Sequence, residues 1–207
     1  MNVTVTKLIG KEYLDKACSF TVNKEVHPDL AKMYTAEHSP IRTMLFWVEL
    51  HNIPTFVSTH LTRHSIGISH FVKSNRDDKP GYAGNDLGRF QPVNHALMLN
   101  AQALINMSRR RLCYKAHKET REVMQAIKDK VRVIDPGLAA AMVPDCEYRN
   151  RCHELKPCPK GIKLNAEATT VERLRKHIDT LTGYLEDHGI CIGCGEMLED
   201  CDCQDVK

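Results

Sequence analysis

The feature that most constrains this chain is a helical pattern running from Pro92 to about Asp135, with a weak point near Cys113. Its first half is apolar almost all round (Leu97, Met98, Leu99, Ala101, Ala103, Leu104, Ile105, Met107). A helix with no polar face is buried on every side, so the spacing predicts a central helix with other elements packed about it. Asn100, Gln102 and Asn106 punctuate the pattern. At about 100° per residue, Asn100 and Arg111 share one face, and Gln102 and Asn106 share another. Buried amides need partners; helix–helix hydrogen bonds or a bound ligand would each supply them. Asp135-Pro136 stops the pattern.

Around it, 207 residues give room for one globular domain plus an appendage. Val3 to Ile9 alternates apolar and polar, which predicts an opening strand. Lys11 to Lys24 reads as a helix with Tyr13, Leu14, Ala17 and Phe20 on one side. Ala36 to Arg42 is a polar turn, and Thr43 to Leu50 a strand. Pro54 suits the first turn of a helix reaching about Thr62, which would deliver Arg63-His64 at its end. Asp77 to Gln91 is rich in Gly, Asp and Pro and reads as a loop. Thr169-x-x-Glu172 is a capping box, followed by Val171, Leu174, Ile178, Leu181 and Leu185 at helical spacing to Gly189. The expected division is a main domain over 1–160, a helix over 166–189 and a tail over 190–207.

Charge narrows the function. Lys and Arg number 29 against 26 Asp and Glu, a net +3, so no strong general field draws nucleic acid or membrane to the chain. No apolar run approaches the roughly 18 residues that a span requires, and the N-terminus lacks the long apolar region of a signal peptide. Nine cysteines without such a leader point to reduced thiols or metal rather than to disulfides. A cytoplasmic protein is expected, with nucleic acid a partner only through the C-terminal tail.

Chemistry concentrates in His60-Leu-Thr-Arg63-His64-Ser65-Ile-Gly67-Ile-Ser-His70-Phe-Val-Lys-Ser74-Asn-Arg76. Arginine forks bind phosphate or carboxylate in pairs of hydrogen bonds, hydroxyls add donors, and a histidine stacks or donates. Such a stretch suits an anionic, planar ligand, although a solvated basic turn has a similar composition. A second concentration is the tail, where Cys191-x2-Cys194-x6-Cys201-x-Cys203 has the spacing of a four-thiolate zinc site; reactive thiols on an unfolded tail are the alternative. Cys113, Cys146, Cys152 and Cys158 form a second candidate set, with His153 as a competing ligand. Cys18 reads as core.

These pieces together resemble the flavin-dependent thymidylate synthases over residues 36 to 158. His38-Ser39 ahead of an apolar strand is similar to that family's early flavin-contacting turn. Arg63-His64-Ser65 with Ser74-x-Arg76 resembles its Arg-His-Arg signature followed by Ser-x-Arg. Asn100, Leu104, Asn106, Arg111, Ala116, Glu119 and Arg121 keep the mutual spacing of its Asn-x-Arg-x-Leu helix and the segment beyond.

The resemblance implies an α/β fold with a central sheet and a long buried helix, assembled as a homotetramer with sites between subunits. It implies C5 methylation of dUMP with FAD, NADPH and methylenetetrahydrofolate. His60, Arg63, Ser74, Arg76, Arg89 and Arg111 would then hold the nucleotide, Arg63 and Arg111 acting in catalysis. His38, Ser39, Arg63, His64, Ser65, Asn100, Gln102 and Asn106 would line the flavin. Several positions depart from the pattern. Ser65 and Gln102 stand where the family has arginine, His117 stands for glutamine, and residues 77 to 99 replace a longer insertion that bears a substrate arginine, for which Arg89 is the candidate substitute. Two further readings stay open: modification of another pyrimidine nucleotide, and a non-catalytic nucleotide- or nucleic-acid-binding zinc protein.

Overall fold

A computed structural model describes residues 1–74, 78, 88–187 and 189. Contacts divide the chain into two units, Met1–Arg149 and Asn150–Lys207. The first unit is a four-stranded antiparallel sheet in the order β1-β2-β4-β3, from β1 (Asn2–Ile9), β2 (Leu45–Pro54), β3 (Ile68–Val72) and β4 (Pro92–Asn100). Helices α1 (Lys11–Val22) and α2 (Leu30–Ala36) and a 3-10 turn (Ser39–Thr43) connect β1 to β2. Then come α3 (Thr55–Thr62) after β2, and α4 (Ala101–Arg111), α5 (Lys118–Ile134), α6 (Pro136–Ala141) and α7 (Asp145–Tyr148) after β4. The mixed α/β class expected from the sequence is the class observed.

Register shows which residues face the helices. Phe46 lies opposite Leu99, Val48 opposite Leu97 and Leu50 opposite His95, and all six are buried. Ile68 and His70 of β3 lie opposite Leu99 and Leu97 and continue the same face. Trp47, Met98 and Phe71 occupy the other face, where the Trp47 and Phe71 rings stand 5.4 Å apart.

This pairing corrects the long-helix reading: Pro92 to Asn100 is a strand, and the buried helix starts only at Ala101. The strand's outward positions include Ala96 and Met98, so its period of two was hidden among apolar residues on both faces. Asn100 is thereby not on a buried helix face but is its N-cap, its Oδ1 accepting from the Ala103 amide at 2.9 Å.

The break near Cys113 and the stop at Asp135 are both observed. α5 turns Thr120, Val123, Met124, Ile127 and Val131 inward at helical spacing. Asp135, 4% exposed, then caps α6 through the Leu138 amide at 3.1 Å. Its other oxygen accepts from Lys7 Nζ at 2.8 Å and the buried Tyr34 hydroxyl at 2.7 Å. One carboxylate thus ties β1, α2, α5 and α6.

In the second unit α8 runs Pro159–Asp187, ten residues ahead of the start that the capping box suggested. Thr169 lies inside it, with its hydroxyl donating to the Asn165 carbonyl at 2.8 Å, as hydroxyls do mid-helix. Asn165 in turn bonds the Cys152 amide at 2.7 Å and its carbonyl at 3.0 Å. Val171, Leu174, Ile178 and Leu181 form an exposed apolar stripe. Among the described residues no helix is long and apolar enough to cross a membrane.

Candidate functional site

The site begins where β2 turns into α3. Pro54 lies at the N-cap rather than in the first turn. The first two amides of α3, Thr55 and Phe56, donate to the Gln91 and Arg89 carbonyls at 2.9 and 3.1 Å, which docks the 88–91 loop onto the helix. At the other end, Arg63 is exposed and His64 half-buried. Arg111, the last residue of α4, lies against them: its Nε donates to His64 Nε2 at 2.9 Å and its Nη2 to the His60 carbonyl at 2.6 Å. Residues 60 to 64 and residue 111, separated in sequence by β3 and β4, meet in one basic focus.

His60 sits at its centre. Its Nδ1 is 2.9 Å from the buried Thr120 hydroxyl. Burial first, and then the charges of Arg111, Arg63, His117 and Arg89, hold its pKa below the ordinary value. Four cationic or ionisable side chains therefore surround one neutral ring, an arrangement that favours an anion. Phe56 supplies an apolar floor, with the rings of His117, Phe90 and His60 edge-on at 4.6, 5.3 and 5.5 Å. The Arg89 guanidinium lies 4.8 Å from the Phe56 ring. Arg89, predicted as a substrate contact, thus stands in the focus, joined by Phe56, Phe90 and His117, which the sequence reading did not assign. For Phe56 the signal was its helical spacing from His60 along α3; Phe90, in the 88–91 loop, and His117, at the N-cap of α5, carried none.

A second cluster lies on α4. Gln102 Nε2 donates to Asn106 Oδ1 at 3.2 Å and also to Glu37, whose other oxygen receives Arg109 Nη2. Arg109 stacks on the Tyr148 ring at 3.6 Å. Exposed His38 and Ser39 follow Glu37 directly. The expected flavin residues thus divide into His38, Ser39, Gln102 and Asn106 around Glu37, and Arg63, His64 and Ser65 after α3. Asn100 borders the latter turn through Gly67. Glu37 and Arg109 were missed because an isolated Glu and one Arg of three in a row carry no sequence signal.

A donor set of this kind suits an acceptor-rich group such as a flavin. Arg109 Nε is buried with no hydrogen-bond partner among the described residues, a donor left for a ligand. Beside it lies a cavity of about 440 Å³ lined by Thr35, Glu37, Ile105, Arg109, Gly137 and Tyr148, among others.

Other expected residues fall elsewhere. Ser74 is exposed at the end of the β3 segment, and Arg76 and the 191/194/201/203 cysteines lie outside the described residues. Cys113, Cys146, Cys152 and Cys158 are half-buried thiols. Among the described residues no group of three or more His, Cys, Asp or Glu could hold a metal ion, so this set gains no support as a zinc site.

Gly67 makes the turn between these segments. Its φ is +74°, and a Cβ there would come within 2.6 Å of Asn100 Nδ2. Gly67→Ala is expected to cost on the order of 1–3 kcal/mol, read as a lowered denaturant midpoint.

Two histidines here give a pH dependence. Burial, aided by the Arg111, His70 and Arg110 charges, pushes His64 down from 6.5 to about 4. Burial and His70 do the same to His95, also to about 4. Between those values the unfolded chain binds protons that the folded chain refuses, so stability is fully present above pH 6.5 and falls as pH drops towards 4. The loss is expected to be roughly 2–4 kcal/mol after allowance for partial exposure, and denaturant midpoints from pH 7 downward would measure it.

No family model matches this sequence, and no curated protein matches it. Solved structures do. A flavin-dependent thymidylate synthase (ThyX) from Helicobacter pylori complexed with FAD and dUMP is 14% identical with a TM-score of 0.58, over 69% of this chain and 100% of that one. A second ThyX structure from the same organism, with FAD and dUMP, is 15% identical with a TM-score of 0.54, over 70% of this chain and 99% of that one. Alternating core strands, a buried helix entering from Asn100 and this similarity agree: the chain has the fold of the flavin-dependent thymidylate synthases.

Proposed function

We propose that the chain is a flavin-dependent nucleotide methylase that transfers a one-carbon unit from methylenetetrahydrofolate to C5 of dUMP, with NADPH as reductant. The observation that carries this reading is the seating of Arg111 on His64 and on the His60 carbonyl, which makes one anion-binding focus from the two segments resembling the family signature. Arg63, Arg89 and Arg111 would hold the nucleotide with Ser74, Arg76 and His60, Arg63 and Arg111 lying nearest the reacting base. Phe56 would give the ring an apolar floor. His38, Ser39, Gln102, Asn106 and Arg109, with Arg63, His64, Ser65 and Asn100, would hold FAD. Bound flavin supplies the redox chemistry; the protein binds, orients and excludes water.

The two flavin clusters lie on opposite faces of α4, and a site completed between subunits of a homotetramer would use both. Zinc on Cys191, Cys194, Cys201 and Cys203, and a cytoplasmic location, belong to the same proposal. Gln102 and Ser65, in place of two arginines, favour as second reading a different pyrimidine nucleotide on the same fold.

Protein reconstituted with excess FAD and gel-filtered should keep the flavin absorbance and elute well above its 23.5 kDa chain mass. With folate and NADPH it should release tritium from C5-labelled dUMP. A colourless monomer overturns the proposal, and a yellow oligomer that releases no tritium selects the second reading.

A further inference from the structure

Beneath the basic focus a line of hydrogen bonds runs through the core and ends on the carbonyl of His64. Ser58 Oγ is 3.0 Å from His95 Nδ1, His95 Nε2 is 3.0 Å from His70 Nδ1, and His70 Nε2 is 2.7 Å from the His64 carbonyl oxygen. Ser58 and His95 are 4% and 1% exposed.

The last link sets the direction of the others. A carbonyl only accepts, so His70 Nε2 carries the hydrogen and donates. Neutral His70 then has a bare Nδ1, which accepts from His95 Nε2–H. His95 Nδ1 is left as an acceptor, and the Ser58 hydroxyl donates to it. With both rings neutral, a single arrangement of protons satisfies all three bonds, so each tautomer is fixed by its neighbour.

Strand phase puts the line there. His70 and His95 are inward-facing residues of adjacent strands, one diagonal step apart in the register, and Ser58 lies on the buried side of α3. Three apolar residues could fill this space without the cost of desolvating two imidazoles and a hydroxyl. What the line holds is a residue already gripped elsewhere: the His64 ring accepts from Arg111 while its carbonyl accepts from His70.

We propose that Ser58, His95 and His70 are positioning residues that fix His64 in space and, through its ring, the guanidinium of Arg111. The role of Arg111 as a nucleotide anchor rests on the function proposed above; the fixing of His64 does not.

Three substitutions at position 70 separate this role from packing. Gln places an amide donor near the position of Nε2 and reaches the His64 carbonyl. Asn places polar atoms near Nδ1 and reaches only His95. Phe fills the space and makes neither bond. The readouts are the imidazole nitrogen NMR signals and titration of His64 in the ligand-free protein, and dUMP affinity.

His64 of the wild type should be the neutral Nδ1–H tautomer and titrate far below 6.5, held down first by burial and then by the charges of Arg111, His70 and Arg110. In His70→Phe and His70→Asn its titration should rise by about one unit or more towards the ordinary value, with dUMP affinity weakened about tenfold. His70→Gln should restore both. Unchanged His64 signals in His70→Phe overturn the proposal, as does equal rescue by Asn and Gln. Where the Phe variant does not fold, the Asn and Gln pair decides alone. Wild-type protein that binds no dUMP, yet shows the expected shifts of His64, overturns the nucleotide reading and leaves the positioning line standing.

Discussion

Arg111→Ala is expected to weaken dUMP binding by at least about tenfold, because truncating one partner of a desolvated charge pair costs on the order of 2–5 kcal/mol. Burial already holds the pKa of Arg111 below its ordinary value, with Arg63 and Arg110 acting in the same direction. An anion that neutralises this crowded group therefore gains more than it would at a surface arginine. The change reaches the free protein too. Arg111 is the donor to His64 Nε2 and to the His60 carbonyl, and both acceptors lose it. A fall in stability on the order of 1–3 kcal/mol is expected, so the thermal midpoint should drop even without ligand. Calorimetric titration of dUMP beside thermal melts of the free protein separates the two effects. Unchanged affinity would remove Arg111 from the nucleotide site.

The largest expected stability effect is at Asp135. Asp135→Ala deletes the cap of α6, the partner of the buried Tyr34 hydroxyl and the counter-ion of Lys7. Breaking a fully buried pair costs on the order of 3–5 kcal/mol, less here because Lys7 is 24% exposed, and the lost cap adds about 1 kcal/mol. Against a total of roughly 5–15 kcal/mol for an ordinary domain, this change should leave the first unit marginal. Asp135→Asn keeps an acceptor for the cap but puts an NH2 group where Tyr34 and Lys7 now donate, and should fall between the two. Chemical denaturation of the three proteins measures the order; equal midpoints would mean that the carboxylate carries none of this.

Some of this was legible in residues alone and some was not. β1, α1, α3 and the stop at Asp135-Pro136 follow from local periodicity and proline chemistry, and each lies within two or three residues of its expected bounds. The basic focus was legible because Arg63, His64 and Arg111 sit at helix ends, where sequence spacing translates directly into position. β4 was not. Its outward face carries Ala96 and Met98 beside Trp47 and Phe71, so only register against β2 and β3 distinguishes it from a helix. With the strand misread, His95 could not be placed inward, and the line from Ser58 to His64 could not be assembled. Glu37 was invisible for another reason: its partners Gln102 and Arg109 are remote in sequence, and long-range ion pairs leave no local pattern.

The docking of the 88–91 loop on α3 has one more consequence, for the electric field at the site. Helices offer anions their N-termini, where free amides carry partial positive charge. Here the first amides of α3 are spent on Gln91 and Arg89 carbonyls. The C-termini of α3 and α4, which carry partial negative charge, face the basic focus together with the N-terminus of α5 at His117 and Thr120. Arg63 and Arg111 therefore offset two helix dipoles before they attract any ligand, and the His60 carbonyl that receives Arg111 is part of that negative end. An anion here would be held by side-chain charge, with the N-terminus of α5 as a helix end of favourable sign. Glutamine at position 111 would keep hydrogen-bond donors and none of the charge, leaving any bound anion facing two helix ends of its own sign.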